Sequence, residues 1–279
     1  MKRMLFLVLI GALGLQSVAY SQTKVIKRHL LAFWDFSEDA GQPRVSKSFQ
    51  NDEQYHLLEG TVPIERISEG PIAKSSAYIK DSTWFYIPRG ELGKLNIYGK
   101  DAAVTVVAWV KKDSEKYWQA IGGVWDETRE KRQYYLFLNA ASKTHHDEMK
   151  RYPTNGRIHG HISATGGKTP GQIAWISYAS SDEEVATGEW AMIALAYDGK
   201  QIKVFKDGAL SAHALTNPFP YEEGIFDGGE DGADFTVGAN SVIGKMTNQF
   251  VGQISGLAVF DEALDEKAMR RLYRKGIGF

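Results

Sequence analysis

Hydrophobic positions along this chain recur in twos rather than in threes and fours. Trp190 to Tyr197 (WAMIALAY) is almost wholly apolar, as expected of a strand covered on both faces. After Asp198-Gly199, Ile202 and Val204 alternate with Lys203 and Phe205, and Asp207-Gly208 follows. Asp-Gly between such runs signals a tight hairpin, because the turn needs positive φ, which Gly supplies at no steric cost and Asp tolerates. The pattern predicts a meander of antiparallel strands. Ala103 to Lys111 is another central strand, with Val104, Val106, Ala108 and Val110 on one face and Val107 and Trp109 on the other. Leu30 to Phe36 and Gln249 to Phe260 complete the long strands. Shorter ones are expected at 55–58, 61–67, 76–79, 84–87, 118–125, 133–139, 157–163, 172–178 and 235–238.

The period changes once, at the C-terminus. Asp265 is placed as an N-cap, Leu264 and Met269 as a hydrophobic staple and Gly276 as the stop, which predicts one helix of about ten residues. Many strands with two-sided apolar centres point to an all-β fold. The architecture expected is a two-sheet antiparallel jelly-roll sandwich with one short C-terminal helix. Residues 24–28 read as a basic lead-in to the first strand.

The first residues change the picture of location. Lys2 and Arg3 precede an apolar run from Met4 to Leu15, and Ala19 and Ser21 supply small residues at −3 and −1. This predicts a secretory signal peptide over 1–21, leaving 22–279 as a single domain, periplasmic or extracellular. The run falls short of the about 20 residues a spanning helix needs, so no integral membrane protein is expected. The 279 residues contain no Cys, so neither a disulfide framework nor a lipid-anchoring thiol is available, and an exported chain without cysteine reads as bacterial. A net charge of −1 supplies no basic footprint for nucleic acid.

Trp109, Trp190, Tyr197-Asp198-Gly199, Asp207-Gly208, Phe250-x-Gly252-x-Ile254 and Leu264-Asp265 occur in an order that resembles the laminin-G-like branch of the concanavalin A-like lectin/glucanase superfamily. The resemblance runs from about residue 30 to 275 and implies the sandwich fold. It says less about function, since lectins, adhesion modules, glycosidases and lyases share that fold. Calcium is common in the superfamily, often near the first strand, which makes Asp35 and Asp39 candidates.

The richest stretch for chemistry is Gly156 to Ser163 (GRIHGHIS). Alternation puts Ile158 and Ile162 on one face and Arg157, His159 and His161 on the other. Gln133 and Tyr135 share that parity on the preceding strand, and Trp175 or Tyr178 can join from the next. Trp118 and Trp125, near a strand edge, are free to meet a ligand, whereas Trp34, Trp84, Trp109 and Trp190 are expected in the core. Flat aromatic faces with guanidinium, amide and imidazole groups suit a polysaccharide. The expectation is therefore a glycan-binding module with no catalysis of its own. Two alternatives stay open. A lyase acting on uronate-containing glycan would use Arg157, Gln133 and His159 to neutralise the carboxylate and Tyr135 or His161 to move protons. A protein-adhesion module would use its loops. Paired carboxylates for glycoside hydrolysis are not found on alternate positions of any one strand. The acidic turn holding Asp227, Asp231 and Asp234 could take a hard cation such as Ca²⁺, although Gly238 stands where a calcium loop would place its bidentate Glu. His145 and His146, being adjacent, read as a polar loop.

Overall fold

The structure, a computed structural model, describes residues 22–49, 53–139, 156–167 and 177–278. The expected signal peptide, His145, His146 and Trp175 lie outside these residues. A helix, α1, covers residues 22–29. The first strands are β1 (Leu30–Trp34), β2 (Arg44–Val45), β3 (His56–Glu59), β4 (Arg66–Ile67), β5 (Ser76–Ile79) and β6 (Phe85–Ile87). Long strands follow: β7 (Val104–Lys112), β8 (Gln119–Asp126), β9 (Lys131–Asn139), β10 (Arg157–Ile162), β11 (Ser177–Glu184) and β12 (Trp190–Tyr197). The chain continues through β13 (Gln201–Lys206), β14 (Ala209–Leu210), β15 (Phe219–Pro220), β16 (Phe235–Val237), β17 (Asn240–Val242) and β18 (Lys245–Thr247). It ends in β19 (Gly252–Phe260) and α2 (Glu266–Lys275).

Two antiparallel sheets form the expected sandwich. The first has the order β14-β13-β12-β7-β19-β5-β4, with β1 beside β19 and β15 beside β13. The second has the order β11-β10-β9-β8-β16-β6-β3-β2, with the β17–β18 hairpin at the end of β8. The stretch from β12 to β14 is the meander that the Asp-Gly turns predict. Gly199 and Gly208 take φ +80° and +84°, and Asp207 joins its glycine at +50°. The Asp198 carboxylate accepts hydrogen bonds from the backbone N–H groups of Lys200 (3.0 Å) and Gln201 (2.7 Å), closing the first turn.

The apolar pattern accounts for the layers. Val104, Val106, Ala108 and Val110 of β7 and Ile193, Leu195 and Tyr197 of β12 point between the sheets. Val107, Trp109, Met192, Ala194 and Ala196 point outward, where Ile26 of α1 and Ala268, Met269 and Leu272 of α2 cover them. The central strands are thus apolar on both sides because helices shield the outer face of the first sheet. A bulge between Ile254 and Gly256 lets both Ile254 and Leu257 face the inter-sheet core. The α2 caps are as expected: Asp265 Oδ1 accepts from the Ala268 N–H at 2.8 Å, and Gly276 ends the helix at φ +62°.

Some boundaries differ from the pattern. Residues 24–28 lie within α1 rather than in an irregular lead-in, because Ile26 is drawn under α2 and is only 1% exposed. Of the strand expected over 61–67 only Arg66–Ile67 forms. The strand expected to end at Tyr178 instead extends to Glu184, its polar half held against β10. Among the tryptophans, Trp34 and Trp109 are core residues, but Trp84 and Trp190 are half-buried. Trp190 is anchored at the rim, its Nε1 donating to Glu69 at 3.3 Å with Lys111 Nζ 5.5 Å from its ring centroid.

Candidate functional site

Strands β8, β9, β10 and β11 lie side by side, so strand alternation sorts their residues between two faces. Tyr134, Leu136, Leu138, Ile158 and Ile162 enter the inter-sheet core. Gly160 belongs to this inner face: a Cβ there would stand 2.5 Å from Leu195 Cδ1 and 2.9 Å from Val204 Cγ1, so its bare backbone sets how closely the sheets approach. The opposite face receives Trp125, Tyr135, Phe137, His159, His161 and Tyr178. His159 stands across from Phe137 and Ser180, and His161 across from Tyr135 and Tyr178.

These rings close on one another. His161 lies 4.9 Å from Phe137, 5.5 Å from Trp125 and 5.7 Å from Trp118, ring centre to ring centre, each edge-to-face. Tyr178 stacks on both imidazoles, 4.8 Å from His159 and 5.2 Å from His161. Trp118, immediately before β8, meets His159 at 5.4 Å and Phe137 at 6.2 Å. Its backbone is left-handed, φ +43°, a region that a bulky side chain enters only when its surroundings hold it there. Trp118 and Tyr178 are half-buried, whereas His159 is 0% and His161 6% exposed.

The two histidines are polar groups in an apolar setting. Neither nitrogen of His161 has a hydrogen-bond partner among the described residues, nor does His159 Nδ1. His159 Nε2 is 3.3 Å from Ser180 Oγ. Burial lowers the His159 pKa to about 3. It also pushes His161 well below its usual range, with His159 and Arg132 acting in the same direction. Both imidazoles are therefore neutral at physiological pH, and each buried nitrogen without a partner costs about 1–3 kcal/mol.

Most of the remaining polar groups of this region are committed, although Arg132 Nε and Arg157 Nε have no partner among the described residues. The Tyr135 hydroxyl sits 3.1 Å from Thr236 O and 3.0 Å from Ala239 O, and burial raises its pKa. Trp125 Nε1 donates to Glu127 Oε1 at 3.3 Å, and Asn240 Nδ2 donates to the same oxygen at 3.2 Å. Arg132 donates to Gly166 O (3.1 Å) and Glu127 O (3.4 Å) beside the Trp125 ring. Arg157 is half-buried at the start of β10, with Nη2 3.7 Å from Glu184 Oε1.

Gln133, expected among the ligand-binding groups, is instead spent inside the fold. Its Oε1 accepts from Arg89 Nη1 at 2.8 Å, and its Nε2 donates to Asn96 Oδ1 (3.1 Å) and Ile97 O (3.0 Å). The acidic turn is organised round arginines. Asp234 Oδ1 accepts from the Arg89 N–H at 2.8 Å, Gly229 O from Arg89 Nε at 2.8 Å and Asp231 O from Arg129 Nη1 at 3.1 Å. Asp227 Oδ1 accepts from the Gly229 N–H within its own turn. Asp35 pairs with Lys47, and Asp39 with Arg66. No group of three or more His, Asp or Glu converges as metal ligands among the described residues. Phe137, not among the expected ligand-binding residues, also belongs to the cluster, and its parity with Tyr135 is the signal that marks it.

Fold and site together define a jelly-roll sandwich with an aromatic outer face on its second sheet. The chain belongs to the concanavalin A-like lectin/glucanases superfamily, whose profile matches residues 86–268. Solved structures with the same fold include domain 4 of AbnA, a GH43 extracellular arabinanase from Geobacillus stearothermophilus, in complex with arabinotriose. That domain is 16% identical, with a TM-score of 0.52 over 85% of this chain and 100% of its own. Trypanosoma rangeli sialidase in complex with a difluoro sugar acid is 14% identical, TM-score 0.53, over 91% of this chain and 34% of the sialidase. The receptor binding domain of botulinum neurotoxin C/D mosaic serotype is 10% identical, TM-score 0.51, over 89% and 51%. This chain thus spans the whole of the arabinanase domain but only a third to a half of the other two. Among curated proteins no significant sequence match is found. No helix among the described residues is long and apolar enough to cross a membrane.

Proposed function

We propose that this chain is an exported glycan-binding module that holds its ligand at the aromatic face of β8–β11 and catalyses nothing itself. One observation carries the reading: seven rings, two of them imidazoles with nitrogens that have no partner among the described residues, gather on the outer side of a sheet whose inner side already supplies the core. Natural proteins leave buried polar atoms unsatisfied where function requires it. Aromatic faces take the C–H side of a pyranose or furanose ring, and imidazole nitrogens take its hydroxyls. The arabinotriose complex of the arabinanase domain lends fold-level support to a sugar ligand. A lyase reading is less well supported. The Tyr135 hydroxyl that would move a proton is bonded to backbone carbonyls, and Gln133, which would help neutralise a carboxylate, is bonded to Arg89.

The test is a polysaccharide array with residues 22–279 and the Trp118→Ala variant, each hit being followed for chain shortening. Binding that weakens in the variant, without shortening, supports the module. Shortening would make it an enzyme, and silence across all polysaccharides would turn attention to a protein partner.

A further inference from the structure

The polar atoms of the site also bear on which sugars it takes, an inference that rests on the glycan-binding reading above. We propose that the ligand is an uncharged sugar, whose hydroxyl groups hydrogen-bond to both nitrogens of His161 and to Nδ1 of His159, and not a uronate or another sugar acid.

A neutral imidazole presents one N–H and one bare nitrogen. A hydroxyl can donate and accept, and its O–H rotates, so vicinal hydroxyls satisfy either nitrogen in either tautomer. A carboxylate only accepts. It would serve the N–H and set its lone pairs against the bare nitrogen, unless the ring became charged among Trp118, Trp125, Phe137 and Tyr178.

The guanidinium groups near the face already have carboxylate companions: Arg132 Nη2 lies 4.0 Å from Glu127 Oε2, and Arg157 Nη2 lies 3.7 Å from Glu184 Oε1. Each pair is formally neutral, so among the described residues neither guanidinium is left as an uncompensated cation for an acid. Arg132 and Arg157 each keep a buried Nε–H without a partner among the described residues, and a hydroxyl or ring oxygen can accept from that single donor. Trp118 and Tyr178, the half-buried members, border the imidazoles, whose nitrogens are closed to solvent in this structure, so a ligand reaches them only as these two rings turn aside.

The experiment is calorimetric titration of the wild type and the His161→Phe variant. The probes are neutral arabino-, cello- and galacto-oligosaccharides on one side and oligogalacturonate and oligoalginate on the other, with a thermal melt of each protein. Phe keeps a flat ring in the cluster and removes both nitrogens. The expected result is binding of at least one neutral series, at least tenfold tighter than either acid. In His161→Phe that binding should fall at least tenfold while the melting temperature holds or rises. If the variant fails to fold, His161→Leu serves in its place. Acidic oligosaccharides binding as tightly as the neutral ones would overturn the ligand class and leave the glycan-binding reading standing. Unchanged neutral binding in the variant would overturn the imidazole contact. Absence of binding to both series would overturn the underlying reading itself.

Discussion

Acidification should destabilise this fold well above the pH at which its carboxylates titrate, and the cause should be the histidine pair. In the unfolded chain a histidine titrates near 6.5, whereas burial lowers His159 to about 3 in the fold. As pH falls through 6.5 the unfolded state takes up a proton that the native state refuses, so stability drops with pH over the whole window from 6.5 to about 3. Between pH 7 and pH 5 this amounts to about 2 kcal/mol from His159 alone, at about 1.4 kcal/mol for each unit below 6.5. A shift of that size lowers the melting temperature of a domain this large by about 4–8 °C. His161, depressed by burial and by the neighbouring His159 and Arg132, adds to the fall. The charged neighbours do not reverse the sign. Arg132 repels an imidazolium, Glu127 is already the companion of Arg132, and Tyr135, its pKa raised by burial, is neutral throughout this range. Asp35 and Asp198, whose pKa values are lowered, stay ionised above pH 5 and do not contribute. The assay is thermal melting at pH 7, 6 and 5 for the wild type and for the His159→Phe/His161→Phe double variant. The wild type should lose melting temperature steadily, and the double variant should show a flatter profile. A wild type indifferent to pH over this range, or a double variant that keeps the full drop, would refute the reasoning.

Three further outcomes follow from the packing. Gly160→Ala should cost about 1–3 kcal/mol in urea unfolding, because the new methyl meets Leu195 and Val204 of the facing sheet. Gln133→Leu should cost about 2–3 kcal/mol, since it leaves the Arg89 guanidinium and Asn96 without their partner, while glycan binding survives in whatever fraction is folded. Asp265→Ala should remove about 1 kcal/mol by leaving the Ala268 N–H uncapped, with Asp265→Asn nearly neutral.

The fold was legible in the sequence wherever local chemistry dictates local geometry. Asp198-Gly199, Asp207-Gly208, Asp265 and Gly276 carry their conformations with them, and the two-sided strands announced a covered outer face. Helix α1 was not legible. Its one deeply buried residue, Ile26, owes its place to α2, an element some 240 residues away. The site was half legible. Alternation correctly separated Ile158 and Ile162 from His159 and His161. That the polar side would be enclosed was not readable, because the enclosure is built by Trp118 in a left-handed turn and by Phe137 and Tyr178 from the two flanking strands. Gln133 has the parity of Tyr135 but turns to Arg89, a residue 44 positions earlier that no strand pattern connects to it.

The central claim is that the imidazoles of His159 and His161 receive the ligand. It is tested most directly by long-range ¹H–¹⁵N spectra of the histidine rings in ¹⁵N-labelled protein, recorded at pH 7 as a neutral oligosaccharide identified on the array is added. The account predicts two buried neutral rings whose nitrogen shifts move together along the binding isotherm while those of His29, His56 and His213 stay in place. Saturating binding that leaves the His159 and His161 nitrogens unmoved would contradict it.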